Sequence, residues 1–154
     1  MSVNGVIIAI LIFSIIVIIH ELGHFLLAKA NDVEVTEFSL GMGPRLLTFI
    51  KTDRGAKLRF VQTTNQLEAV PEYAGHTWYS LKLLPLGGSC LMLGEEEEID
   101  NPRAFNRKSV YARMSIIAAG PIFNFLLAFL LALIIVGSIG YDVPKITERW
   151  YQSG

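Results

Sequence analysis

Cysteine is nearly missing from this sequence: Cys90 is the only one in 154 residues. An internal disulfide is therefore excluded, and the redox compartment is left open. Net charge is also slight, −1 at neutral pH from 13 basic and 14 acidic residues. No global basic field exists to attract nucleic acid, so that class of partner is not expected. Two stretches lack charge entirely. Residues 6–19 carry Ser14 as their one polar side chain, and residues 114–139 carry only Ser115, Asn124 and Ser138. The first run continues apolar through a short polar motif to Ala28. Each run then exceeds the ~20 residues a helix needs to cross the bilayer core. A cleaved secretory leader fits the first run poorly, because no Lys or Arg precedes it and no small-residue cleavage site follows.

What is present agrees with those absences. Hydrophobic residues make up 52% of the chain, more than a soluble domain needs. Residues 2–28 hold no Lys or Arg, whereas residues 29–113 hold all thirteen basic residues except Lys145 and Arg149. By the positive-inside rule the connecting segment, residues 30–112, lies on the cytoplasmic side and both termini lie opposite. The cluster from Arg103 to Arg113 reads as a topology determinant in contact with lipid headgroups. The chain is thus an integral, multi-pass membrane protein. Its segments are a transmembrane helix at 1–30, a β-rich segment at 31–110, a second transmembrane helix at 111–140, and a polar tail at 141–154.

Within the connecting segment the pattern changes from helical runs to alternation. Val33 to Leu40, Leu46 to Ile50, Leu58 to Val61, Trp78 to Leu84 and Cys90 to Leu93 read as short strands. Gly41-Met42-Gly43-Pro44 and Pro85-Leu86-Gly87-Gly88 read as turns between them. Glu95 to Glu98 reads as a solvated loop, and His76 as a solvated loop histidine. The fold class is therefore membrane α+β, with two transmembrane helices and a small sheet between them.

The chemistry sits at His20-Glu21-Leu22-Gly23-His24. This is the HExxH pattern of two zinc ligands and a base on one helix. Residues four apart share a helix face, so two imidazoles can reach one Zn2+. Glu21, next to the first ligand, can act as general base toward a water activated by that ion. Gly23 lets a backbone come close. Such a motif arises by chance in roughly one chain in a few hundred of this length, so its location carries more weight. Ionisable residues inside a membrane helix are costly and point to function. A haem site is excluded, because two His on one face of one helix cannot ligate opposite faces of a haem. Val6 to His20 spans ~21 Å of helix and His20 to Lys29 spans ~13 Å, which puts the motif nearer the cytoplasmic face. Asn124, in the second helix, is either an interhelical hydrogen bond or a contact to substrate backbone.

Four blocks in order resemble the site-2 protease family of intramembrane zinc metalloproteases, especially its bacterial RseP-like members. They are His20-Glu21-Leu22-Gly23-His24; Glu37 to Pro44; Leu84-Pro85-Leu86-Gly87-Gly88 with Leu91 to Glu95; and Ala104-Phe105-Asn106 leading to Arg113 and Ala119-Gly120-Pro121-Ile122-Phe123-Asn124. The resemblance implies Zn2+ as cofactor, held by His20 and His24, with Glu21 as the catalytic residue. It implies single-span membrane proteins as substrates, cut in or near their membrane helix, and a bacterial plasma membrane location. It also implies a re-entrant sheet that approaches the active site. Gly43, Pro85, Gly87, Gly88 and Asn124 are the candidate substrate contacts, since an exposed sheet edge can hold a substrate extended by strand addition. The family supplies a third zinc ligand, an Asp, from a later helix. Asp142 is on the wrong side of the membrane for that role, and Asp32 lacks the motif. Residues 141–154 resemble the opening of a truncated PDZ-like domain, so the expectation is an incomplete, inactive piece of the protease. The alternative is a non-catalytic membrane scaffold or pseudoenzyme. A zinc transporter is disfavoured, because transport needs polar residues along several helices.

Overall fold

The computed structural model describes residues 3–140; the expected opening of a PDZ-like domain, with Asp142, lies outside the described residues. The elements are α1 (Val3–Ala30), β1 (Val35–Thr52), β2 (Gly55–Phe60), α2 (Thr64–Glu68), β3 (Trp78–Met92) and α3 (Val110–Ile139). Short 3-10 turns occupy Pro71–Tyr73 and Phe105–Arg107. The chain divides into two compact units, residues 1–124 and 125–154.

Both long helices are apolar on nearly every face. Only 6% of the apolar window of α1 and 11% of that of α3 is buried within the protein, so neither is the core helix of a soluble domain. Ile7, Leu11 and Ile15 of α1 are exposed. Side chains of that kind belong in lipid. In the second unit α3 continues with Phe125, Phe129 and Ile134 exposed. It stops at Gly140, whose φ of +83° only glycine adopts cheaply.

Asp32 terminates α1. It adopts φ +52°, and the next amide, Val33 N–H, donates back to Ala28 O at 2.8 Å. This is a Schellman-type stop, and it turns the chain from the helix into β1. Asp32 also pairs with Arg103 at 3.5 Å and Lys108 at 3.6 Å. Arg107 pairs with Asp100 at 2.9 Å. Much of the basic cluster is therefore engaged in ion pairs of the protein itself, beyond the lipid contact expected of it.

The sheet has the order β2-β1-β3 with antiparallel pairing. Two of the expected turns are not breaks between strands. β1 runs unbroken through Gly41–Pro44, and β3 through Pro85–Gly88. The backbone bends there because Gly41, Gly43 and Gly87 take φ values of +86°, +87° and +79°, and the ladder absorbs the bends as register shifts between Val35 and Leu47. As a result β3 doubles back along β1: Phe38 lies opposite both Cys90 and Tyr79, and Leu40 opposite both Gly88 and Leu81.

Two small cores hold this together. Ala28, Val33, Val35, Cys90, Met92 and Ile116 join α1, α3 and the sheet. Ile50, Leu67 and Tyr73 close the other face beneath α2, a helix the sequence pattern had not suggested, begun by Gln66 Oε1 accepting from Thr63 N–H at 2.9 Å. His76 is not fully solvated; its side chain is 25% exposed and lies 3.9 Å from Asp53. Glu37 is buried, and Arg45 grips its carboxylate with two donors at 2.8 and 2.6 Å. Lys82 adds a second cation at 3.8 Å. Burial pushes the Glu37 carboxyl upward, but hydrogen bonds from Arg45 and Ser80 and the charges of Arg45 and Lys82 outweigh it and hold it below the ordinary value.

Candidate metal centre

His20, Glu21 and His24 stand on one unbroken helix. The two imidazole centroids are 4.9 Å apart, with planes at 75°. Both rings turn to one point. The Nε2 atoms of His20 and His24 each lie 2.5 Å from where a Cβ on Gly120 would be. Any other residue at 120 would fill the space that both Nε2 atoms border. Gly23 performs a matching service one turn away: its absent Cβ would meet Ala119 O at 2.6 Å. These two glycines let α1 and α3 approach closely enough for the rings to sit against the α3 backbone.

Hydrogen bonds fix the ring chemistry. His24 Nδ1 is 2.8 Å from Ile116 O. A carbonyl only accepts, so Nδ1 carries a proton, and in the neutral ring that leaves the lone pair on Nε2, the tautomer a metal ligand requires. His20 Nδ1 lies 3.2 Å from the Asn124 amide nitrogen, while Asn124 Oδ1 is buried without a partner among the described residues. The two ends of an amide differ by a half-turn, and the hydrogen-bond network decides between them. Turned over, Oδ1 accepts from Nδ1–H, and His20 gains the same tautomer as His24.

The residues therefore fit a metal as two of its ligands. Among the described residues no group of three His, Cys, Asp or Glu side chains comes together to hold an ion. Asp32 is committed to its pairs with Arg103 and Lys108.

Glu21 faces a cavity of ≈ 570 Å³, which it lines together with His24, Gly88, Ser89 and Cys90, with Glu95 and Glu96 also present. Gly88 touches Glu21 directly: a Cβ there would lie 3.3 Å from Glu21 Cγ. Burial, with the charges of Glu21 and Glu95 behind it, pushes the Cys90 thiol up to about 12. Of the expected substrate contacts, Gly88 and Asn124 lie at the site. Pro85 lies further along α1, where its carbonyl accepts from Ser14 Oγ. Gly87 packs on the Met42 side chain. Gly43 lines a different cavity, beside Pro44, Arg45 and Lys82. Sequence reasoning had not singled out Gly120 or the Ile116 carbonyl as site features. The available signal was the glycine four residues before Asn124, which puts a gap and a polar group on one face of the second helix.

Comparison with known proteins places these features in context. Residues 8–65 and 67–152 match the family profile described as Peptidase family M50. A protein of Clostridium acetobutylicum named "Putative zinc metalloprotease" is 44% identical over 146 residues, 95% of this chain and 36% of that protein. Proteins bearing the same name in Clostridium perfringens and Fusobacterium nucleatum are 36% and 34% identical, over 93% and 96% of this chain. They too are covered only in part, for 36% and 38% of their lengths. The chain thus spans little more than a third of these relatives.

Proposed function

This chain belongs to peptidase family M50, and on that footing we propose that it carries the ligand pair and general base of an intramembrane zinc metalloprotease. The observation that carries the reading is the convergence of both Nε2 atoms on the gap at Gly120, with Glu21 next to His20 and open to the cavity. His20 and His24 would hold Zn2+, and a further protein ligand completes a hydrolytic site. Zinc, when bound there, supplies Lewis acidity toward a water and a scissile carbonyl.

The chain's own residues do the rest. Ile116 O holds the His24 ring in the tautomer that frees Nε2, and Asn124, with its amide turned so that Oδ1 faces Nδ1, would do the same for His20. Glu21 takes the proton of the attacking water and delivers it to the leaving amine. The substrate is a single-span membrane protein. Its scissile segment lies extended along the Gly88–Met92 part of β3, since a peptide bond inside a helix hides its amide in its own hydrogen bonds. Gly88, having no side chain, lets this strand pack close against Glu21. The protein works in a bacterial plasma membrane with residues 30–112 on the cytoplasmic side, the side where the basic residues collect.

The test is Glu21→Gln in the longest naturally encoded chain that contains this sequence, reconstituted with a single-span substrate. The amide keeps the shape but cannot take the proton. Zinc stoichiometry is expected to stay at the parent value while cleavage falls to background. Substantial remaining turnover removes Glu21 as the base. A parent protein that holds zinc yet cleaves no membrane substrate supports the scaffold reading instead.

A further inference from the structure

Ser14 is the one polar side chain in the first apolar run, and the proposed chemistry does not use it. It lies near mid-membrane depth, since Val6 to Ser14 spans ~12 Å of helix and Ser14 to Lys29 ~22 Å. Its hydroxyl meets two carbonyl oxygens. One is Ile10 O of its own helix, at 2.8 Å. The other is Pro85 O, at the bend of β3, 71 residues away. A hydroxyl has one proton to give, so it serves one of these at a time.

The placement of β3 gives this contact its meaning. Pro85 sits beside Ser14, and Gly88 sits against Val17 and Glu21. Ser14 to Glu21 covers ~10 Å of helix, and Pro85 to Gly88 covers ~10 Å of strand. Helix and strand therefore climb together from the latch point to the base. The Pro85 carbonyl is on the exposed surface of the protein, at a depth that the helix lengths assign to lipid, and irregular backbone at that depth persists only if its polar groups are satisfied by protein. Ser14 satisfies it.

We infer that Ser14 is a positioning residue: its hydroxyl latches the bend of β3 onto α1 and thereby seats Gly88 and the following strand against Glu21. The second acceptor makes the latch releasable. When the bend leaves, the hydroxyl turns to Ile10 O, a back-bond that serine makes readily in helices, and α1 is left with no orphaned donor. The strand edge can then move off Glu21 to admit a substrate segment and return to grip it. This inference rests on the protease reading for its purpose, but the latch itself is testable without proteolysis.

Cys90 reports on it, being the chain's only thiol and buried on the strand that the latch holds down. The experiment compares Ser14→Thr with Ser14→Val in the 154-residue chain in lipid bilayers. These variants have the same shape and differ by the hydroxyl alone. Cys90 is alkylated with a membrane-permeant maleimide, and far-UV circular dichroism follows helix content. Ser14→Thr is expected to label at the parent rate, and Ser14→Val and Ser14→Ala several-fold faster at unchanged helix content. Equal rates for Thr and Val overturn the latch, whatever Ala does. Faster labelling accompanied by loss of helix in Val but not in Thr also overturns it, since the hydroxyl would then hold the fold and not the strand. Failure of the protease reading would appear only in cleavage assays and would leave these labelling rates as they are.

Discussion

The Nε2 atom of His24 stands 2.5 Å from the point a Cβ on Gly120 would occupy. A single methyl group there cannot coexist with the ring in its observed place, nor with His20, whose Nε2 is equally near. Replacing glycine by alanine inside a helix ordinarily gains up to ~1 kcal/mol. At this position the methyl would meet only the outer ends of the two rings, so the rings can give way but must swing away from Gly120. Gly120→Ala is therefore expected to leave stability little changed and to abolish zinc binding, as measured by metal titration beside the parent. Gly137→Ala is the control, because nothing lies within 4 Å of its missing Cβ. A Gly120→Ala protein that binds zinc as the parent does would remove this gap from the site.

Asn124 decides the tautomer of His20. If its Oδ1 accepts from Nδ1–H, Asn124→Leu leaves that proton unpaired and weakens the hold on Nε2. Loss of such an outer partner typically lowers metal affinity 10–100-fold. Asn124→Asp keeps an acceptor and is expected to retain most of the affinity. Were the amide nitrogen the group that matters, Asp would fail as badly as Leu, so competition titration with a chromogenic chelator separates the two.

Glu37 and Arg45 form a buried pair, with side chains 3% and 12% exposed. Arg45→Met leaves the buried carboxylate with only Lys82 and Ser80 beside it, and breaking such a pair from one side costs up to about 3–5 kcal/mol. The double variant Glu37→Met with Arg45→Met is expected to regain much of that loss in a denaturant-unfolding midpoint. A single variant as stable as the parent would show that the pair contributes little.

The same pair sets an acid limit. The folded Glu37 carboxyl is held below its ordinary value of 4.5. A depressed acid contributes stability that is present above the unfolded pKa and is lost as pH falls through the lower folded one. Unfolding midpoints of the parent should therefore fall below about pH 4.3, the ordinary range of a free glutamate. Those of Glu37→Gln should fall less over the same interval. Parallel curves for the two proteins would assign the acid loss to other carboxylates.

Cys90 should be an unreactive thiol in the closed protein. Its pKa is pushed up to about 12, by burial first and then by Glu21 and Glu95. At pH 8 that leaves roughly a thousandfold less thiolate than a free cysteine has. Its alkylation rate should keep climbing through pH 10, where an ordinary thiol has levelled off. A plateau near pH 9 would mean that the thiol is solvated.

The sequence by itself determined the two apolar helices and the placing of His20, Glu21 and His24 on one of them. These are local properties: a long run without charge must leave water, and four residues of α-helix put two side chains on one face. It also revealed that residues 33–93 hold strands, through alternation and glycine-proline punctuation. It could not show that Gly41–Pro44 and Pro85–Gly88 bend within continuous strands, because a positive φ serves a turn and a bulge alike, and pairing partners far apart in sequence choose between them. α2 was hidden because five residues carry no periodicity. Above all, tertiary structure decided what surrounds the histidines. Gly120, the Ile116 carbonyl and the Pro85 carbonyl are a missing atom and two backbone groups. They have no side-chain chemistry to be seen in a string of letters, and they acquire a role only when α3 and β3 pack against α1.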